Sequence, residues 1–144
     1  MDFDHCLSAF RISSSALAAE RLRMRVIANN LANANVTRTP EGGPYRKDEV
    51  VFRAVLDRAM APNDPAALGG VRVEGMVKSA EPFRTEYRPG HPDADKTTGM
   101  VRLPNVNPVT EMVDLLTASR SYQANLAVLT TYKDLMHQTL RLGQ

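Results

Sequence analysis

Residues that break helices are confined to the centre of this chain, and their distribution limits what the two ends can form. All nine prolines lie between Pro40 and Pro108, and seven of the eight glycines lie between Gly42 and Gly99. Each flank can therefore form one long helix, which at ~1.5 Å per residue would reach roughly 50 Å. We divide the chain into an N-terminal helix over residues 1–36, a middle region over residues 37–106 and a C-terminal helix over residues 107–144.

Both flanks place apolar side chains seven residues apart, which is typical of coiled coils. The repeat of the first flank consists of Phe3, Phe10, Leu17, Met24 and Leu31, interrupted by Ser13, Ser14, Glu20 and Arg21. The second flank has Leu115, Tyr122, Leu129 and Met136 at one position of the repeat, and Met112, Leu126 and Leu140 at another. The predicted fold class is mainly α. Long N- and C-terminal helices pair as an antiparallel coiled coil, and a small β-rich or extended middle region separates them.

The C-terminal helix has a recognisable start. Asn107 can cap the first turn, and Pro108 suits the first helical position because it has no N–H to leave unpaired. Glu111 then places an acid where the helix dipole favours one.

The middle region alternates short strand-forming runs with turn residues. The runs Val50–Phe52, Val71–Val73 and Met76–Val77 predict strands, and the pairs Gly69–Gly70 and Pro89–Gly90 predict turns. Residues Arg53–Met60 fit either a strand or a short helical turn. Residues Pro62–Pro65 are expected to form an exposed loop.

Composition excludes several classes of protein. With 43% hydrophobic and 24% charged residues, the chain is typical of an ordered soluble protein, and its net charge of +2 does not indicate polyanion binding. The single cysteine, Cys6, supports neither a disulfide framework nor a thiolate zinc site. No apolar run approaches the ~18 residues of a membrane helix, so we expect no membrane insertion. Acids in Met1–His5 stand where a secretory signal carries Lys or Arg, so we also expect no cleaved signal peptide.

The apolar faces of the two helices need a partner. The proline-rich and glycine-rich middle region is too small to cover both of them, and an isolated helical hairpin would be only marginally stable. We therefore expect the helices to pack against each other or against neighbouring molecules, with folding coupled to assembly.

Two clusters offer alternative functions. His91, Asp93 and Asp95 include metal-ligand types and would make the chain a metalloenzyme, although the flanking residues favour an acidic turn. A second alternative is a soluble helical-hairpin adaptor that binds nucleic acid through four arginines of the first helix, which are otherwise expected to form a solvated face. These arginines are Arg11, Arg21, Arg23 and Arg25.

Asparagine is unusually dense where the first helix is predicted to end. Asn29, Asn30, Asn33 and Asn35 lie within seven residues, although asparagine is a poor helix former. They either cap a fraying helix end or satisfy backbone groups, of this chain and of a neighbour, where helix becomes extended chain.

Several linked motifs resemble the bacterial flagellar axial proteins, the family of rod, hook and hook-associated proteins. The first motif, Ala28–Thr37, resembles the N-terminal signature of that family. The others resemble its short proximal rod members, and Met100 departs from their pattern, which usually has an aromatic residue there. In order, they are Arg38–Arg46, Val50–Phe52, His91–Asp95, Gly99–Val101, Pro104–Asn107, Glu111–Asp114 and Arg120–Asn125.

The resemblance implies a structural subunit of the basal-body rod, the periplasmic shaft that transmits torque from motor to hook. It implies export without processing by the flagellar type III apparatus. The implied partners are copies of the chain, other rod proteins, and components of the basal body and export gate; nucleic acid, cofactors, metals and catalysis are not implied. The expected assembly interface consists of the heptad residues named above together with Asn29, Asn30, Asn33 and Asn35.

Overall fold

A computed structural model describes residues 3–56 and 68–142, in which two long helices flank four strands. Helix α1 spans Phe3–Ala32 and helix α2 spans Pro108–Leu142, with 30 and 35 residues. This arrangement confirms the helical flanks predicted from the distribution of proline and glycine. The strands between them are β1 (Asp48–Leu56), β2 (Leu68–Lys78), β3 (Arg84–Tyr87) and β4 (Met100–Leu103).

The strands form two separate pairs. Strand β1 pairs with β2, and β3 pairs antiparallel with β4, with Arg84 opposite Leu103 and Tyr87 opposite Met100. All three predicted strand-forming runs lie in β1 or β2, and the predicted turn at Pro89–Gly90 is also confirmed. Of the ambiguous stretch, residues 53–56 continue β1, whereas residues 57–60 and the predicted loop at 62–65 lie outside the described residues.

The turn predicted at Gly69–Gly70 is wrong. Both glycines lie inside β2, and Gly70 is buried with φ +123°. A glycine inside a strand often marks a place where another part of the chain approaches the backbone closely. Here the backbone of β2 approaches Ser15 of α1.

The chain divides into two compact units. The first unit comprises residues 1–23, 51–75 and 117–144, and the second comprises residues 24–50 and 76–116. In the second unit, Ala34, Tyr45 and Val106 form an apolar cluster against which Val36 packs. In the first unit, Ala19 and Ala118 are buried, at 5% and 0% exposure.

Helix α2 begins as its sequence predicts. The Asn107 side-chain oxygen accepts a hydrogen bond from the Val109 N–H at 3.1 Å, and the Asn107 carbonyl accepts one from the Glu111 N–H at 3.0 Å. The capping asparagine thus satisfies an amide of the first turn that has no partner within the helix.

We predict that Asn107→Ala lowers the free energy of unfolding by about 1 kcal/mol, because the Val109 N–H loses its acceptor. Asn107→Asp should retain most of the stability, since an aspartate also caps and its charge favours a helix N-terminus. Denaturant-induced unfolding of the two variants measures this difference. Equal losses in both would show that the cap does not stabilise the helix.

Candidate assembly site

Asn30 is the centre of a buried hydrogen-bond network in the second unit. It lies near the C-terminal end of α1 and is 1% exposed. Its side-chain oxygen accepts hydrogen bonds from the Tyr45 hydroxyl at 2.9 Å and the Asp48 N–H at 3.0 Å. Its amide nitrogen donates to the Asp48 carbonyl at 2.8 Å and to Glu111 Oε2 at 3.3 Å. Because an asparagine side chain has two donors and two acceptor sites, Asn30 is fully satisfied.

Glu111 carries a negative charge into this network. It lies in the first turn of α2 and is 1% exposed, and Lys47 Nζ lies 2.8 Å from its Oε1. Burial by itself lowers the pKa of Lys47, but the hydrogen bond and the charge of Glu111 outweigh burial and raise it. The sequence predicted an acid suited to the helix dipole, whereas the structure shows that this acid is buried and paired with the partly exposed Lys47.

Tyr45 joins the asparagine cluster to strand β1. Its hydroxyl accepts a hydrogen bond from Asn29 Nδ2 at 3.2 Å and lies 3.1 Å from Asp48 Oδ2. Burial, followed by the hydrogen bond and charge of Asp48, raises the pKa of Tyr45 to about 12. Lys78 Nζ pairs with Asp48 Oδ1 at 2.9 Å and lies 5.3 Å from the centre of the Tyr45 ring.

Asn105 holds two further segments of the second unit together. It is 6% exposed; its oxygen accepts a hydrogen bond from the Lys47 N–H at 2.8 Å, and its amide donates to the Glu81 carbonyl at 3.1 Å. Arg46 reinforces the same junction, because its guanidinium donates to the Ser79 carbonyl at 2.7 Å and lies 4.3 Å from the centre of the Phe83 ring. No pattern in the sequence identified Asn105 or Arg46 individually, since both act on segments remote along the chain.

The four asparagines of the predicted cluster have different roles. Asn33 donates to the Asn29 carbonyl at 2.8 Å, which caps the end of α1, and Asn30 satisfies backbone groups of Asp48 as described above. Asn35 is exposed. The amides therefore satisfy backbone groups of their own chain, and contact with a neighbouring molecule stays a prediction.

The heptad residues predicted to form the assembly interface are partly or largely exposed in this chain. On α1, Phe10 is 49% exposed and Leu17, Met24 and Leu31 are half-buried. On α2, Met112, Leu126 and Met136 are 50%, 44% and 39% exposed, and Leu115, Tyr122 and Leu129 are half-buried. The structure describes the backbone of Phe3 and Leu140 but not their side chains.

Buried residues of α1 lie on more than one side of the helix. Ala19 and Val26, at 5% and 7% exposure, each follow a heptad residue, Leu17 or Met24, by two positions, which corresponds to about 200° around the helix. Ile27 and Ser13, at 6% and 8% exposure, lie within about 60° of Met24 around the helix. The heptad side of α1 is therefore partly buried within the chain.

The residues His91–Asp95 form a turn whose carboxylates bond to neighbouring groups. The hydrogen bond from Thr37, together with the charge of Arg38, lowers the pKa of Asp93. The N–H of Thr97 bonds to Asp95 and lowers its pKa. In residues 3–56 and 68–142, no group of three or more His, Cys, Asp or Glu residues is placed to hold a metal ion.

Three of the four arginines of α1 share one exposed side of the helix. Arg11, Arg21 and Arg25 are exposed and fall within about 80° around the helix, whereas Arg23 is partly buried and lies on another side. Binding of nucleic acid by these arginines stays an untested alternative.

We predict that Asn30→Ala lowers the free energy of unfolding by about 2–4 kcal/mol, because Glu111 Oε2 and the backbone N–H and carbonyl of Asp48 lose their hydrogen bonds to the buried Asn30 side chain. Asn35→Ala is the matched control and should change it by less than about 0.5 kcal/mol, since Asn35 is exposed. Equilibrium denaturation compares the two. Equal effects would show that the network is not what stabilises the second unit.

We also predict a loss of stability at high pH. An unfolded tyrosine titrates near pH 10, whereas the pKa of Tyr45 in the folded chain is about 12. Between these values the unfolded chain loses a proton that the folded chain keeps. The contribution of Tyr45 to the free energy of unfolding is therefore fully present below pH 10, and it falls by about 2–3 kcal/mol as the pH rises to 12. The raised pKa of Lys47 acts in the same direction.

The control for this titration is Tyr45→Phe, which has no proton to lose. Its stability should fall less steeply than that of the unmodified chain across the same pH range. Its ultraviolet absorbance should also lack the last tyrosinate transition. An identical pH dependence in the two proteins would contradict the role given to Tyr45.

Both terminal segments of the chain match known protein families. Residues 10–38 match the family described as flagella basal body rod protein. Residues 97–142 match the family described as flagellar basal body rod FlgEFG protein C-terminal. These two segments include most of α1 and all of α2.

Individual relatives match over almost the whole chain. The flagellar basal-body rod protein FlgC of Salmonella typhimurium is 48% identical over 138 residues, which cover 96% of this chain and 98% of that protein. FlgC of Borreliella burgdorferi is 40% identical over 95% of this chain and 97% of that protein, and FlgC of Agrobacterium fabrum is 39% identical over 96% of each. The chain belongs to the FlgC family of flagellar basal-body rod proteins.

Proposed function

We propose that the chain is a structural subunit of the flagellar basal-body rod, the shaft that transmits torque from motor to hook. The observation that carries this proposal is the near-full-length similarity to rod proteins, which includes both terminal segments. The family is structural and not enzymatic. The chain therefore acts by assembling with other rod and basal-body components rather than by catalysis.

Assembly occurs through the heptad faces of α1 and α2. Large apolar side chains such as Phe10, Met112 and Leu126 are 44–50% exposed in the single chain. Burying a side chain of this size gains about 1.5–3 kcal/mol. Several such gains across an interface favour the assembled subunit over the free one, and they explain why apolar residues are placed where one chain leaves them in water.

The two helices pair in antiparallel orientation. Two contacts support this arrangement, one in each unit. In the second unit, Asn30 near the end of α1 bonds to Glu111 at the start of α2. In the first unit, Leu17 and Tyr122 line the same cleft of about 210 Å³. Leu17 precedes Asn30 in α1, whereas Tyr122 follows Glu111 in α2. This opposite order along the two helices is what antiparallel pairing requires.

The buried network gives the subunit its fixed geometry. Asn30 and Glu111 join the last turn of α1 to the first turn of α2, and Asp48 and Tyr45 join both to the chain entering β1. Buried hydrogen bonds of this kind specify one arrangement, because any other leaves polar groups unsatisfied. A subunit of a load-bearing shaft needs such a defined junction between its helices and its middle region.

Partners and location follow from the same assignment. The subunit contacts copies of itself, other rod proteins, and components of the basal body and export gate. It reaches the periplasm through the flagellar type III apparatus. Within the described residues, neither helix is apolar enough over a sufficient length to cross a membrane.

We predict that Leu129→Asp prevents incorporation of the subunit into basal bodies, because it places a charge in an apolar interface. Leu115→Asp should have the same effect, and export of both variants should continue. Thr130→Asp is the matched control, since it adds the same charge at an exposed position beside Leu129. The measurement is the amount of each variant in basal bodies purified from cells that lack the unmodified protein. Intact basal bodies containing Leu129→Asp subunits would contradict the interface.

A further inference from the structure

Ser15 is the last of three consecutive serines in α1, Ser13–Ser15. Its hydroxyl donates to the Ile12 carbonyl at 2.7 Å and accepts a hydrogen bond from the Val71 N–H at 3.0 Å. The first bond lies within the helix. The second connects α1 to the backbone of β2, and both residues belong to the first unit.

Gly70 allows this bond to form. A Cβ added to Gly70 would lie 3.3 Å from Ser15 Cβ and 3.7 Å from Ile12 Cα, and it would clash with Ser15 Oγ. The backbone of β2 therefore lies directly on the surface of α1, with no side chain between them. The φ of +123° at Gly70 is also one that other residues rarely adopt.

We propose that the Ser15–Gly70 contact is a positioning contact that sets where β2 lies on α1 within the first unit. A displacement of β2 by one residue toward its N-terminus would place Val71 over Ser15, where even a single added carbon does not fit. A larger residue in place of Ser15 would push the strand away, and alanine would leave the Val71 N–H without its acceptor.

Within the first unit, the ion pair between these two strands is too weak to have the same effect. Arg53 Nη1 lies 3.2 Å from Glu74 Oε1, but their side chains are 72% and 51% exposed. Exposed ion pairs contribute little to stability, and this one connects β1 to β2 rather than to α1. In the second unit, Asn30 of α1 bonds to the backbone of Asp48 at the start of β1, so Ser15 provides a second attachment of the strand pair to the helix.

The Ser15–Gly70 contact also leaves the assembly face of α1 accessible. Ser15 lies two positions from Leu17, which corresponds to about 200° around the helix. Ser15 therefore contacts β2 on the side of α1 opposite Leu17. This inference stands independently of the proposed rod function, because it concerns contacts within one chain.

The experiment measures hydrogen exchange of individual backbone amides by NMR on the full-length chain. In Ser15→Ala, the Val71 N–H should exchange roughly tenfold faster, because its acceptor is gone. Ser14→Ala is the matched control. Ser14 is exposed, and its hydroxyl donates to the Arg11 carbonyl of its own helix. It should change the exchange of Val71 by less than about twofold. Equal exchange in the unmodified chain and Ser15→Ala would overturn the proposal.

A double-mutant cycle tests the close approach directly. Gly70→Ala should destabilise the chain, and part of that loss should disappear in a Ser15→Ala background, where the clashing oxygen is absent. Additive effects would overturn the contact. If Gly70→Ala does not fold, the exchange comparison of Ser15→Ala with Ser14→Ala decides the question.

Discussion

A carboxylate removed from water must be paired, and the pairing of Glu111 organises the second unit. Lys47 supplies the opposite charge and Asn30 supplies a hydrogen-bond donor. Removing either partner costs stability, since the carboxylate of Glu111 is 1% exposed and would be left without compensation. The end of α1, the chain entering β1 and the first turn of α2 are thereby held in one arrangement, which the apolar cluster of Ala34, Tyr45 and Val106 could not specify by itself.

The distribution of apolar side chains explains why such a chain functions as an assembly subunit. Ala19 and Val26 are buried on one side of α1, whereas the heptad residue Phe10 is 49% exposed on another. Exposed apolar stripes of this kind mark interaction surfaces. Under the proposed function, exposed side chains such as Phe10 are available to neighbouring subunits.

The sequence predicted those parts of the fold that depend on residues adjacent in the chain. The start of α2 follows from Asn107 and Pro108, whose effects extend only over the first helical turn. The asparagine cluster correctly marked the end of α1. The Gly69–Gly70 pair was misread as a turn, because its sequence does not reveal whether a glycine serves a reversal of the chain or close contact with a distant helix.

The sequence by itself determined two long helices, a strand-containing middle region and membership of the flagellar axial proteins, since these depend on periodicity, helix-breaking residues and linked motifs. Only the tertiary structure decided that Glu111 is buried against Lys47, that Asn30 connects three segments, and that Ser15 lies against Gly70. Each of these contacts joins residues far apart in the chain. Their hydrogen-bonding capacity is visible in the sequence, but the partner that satisfies it is set by how the backbone folds.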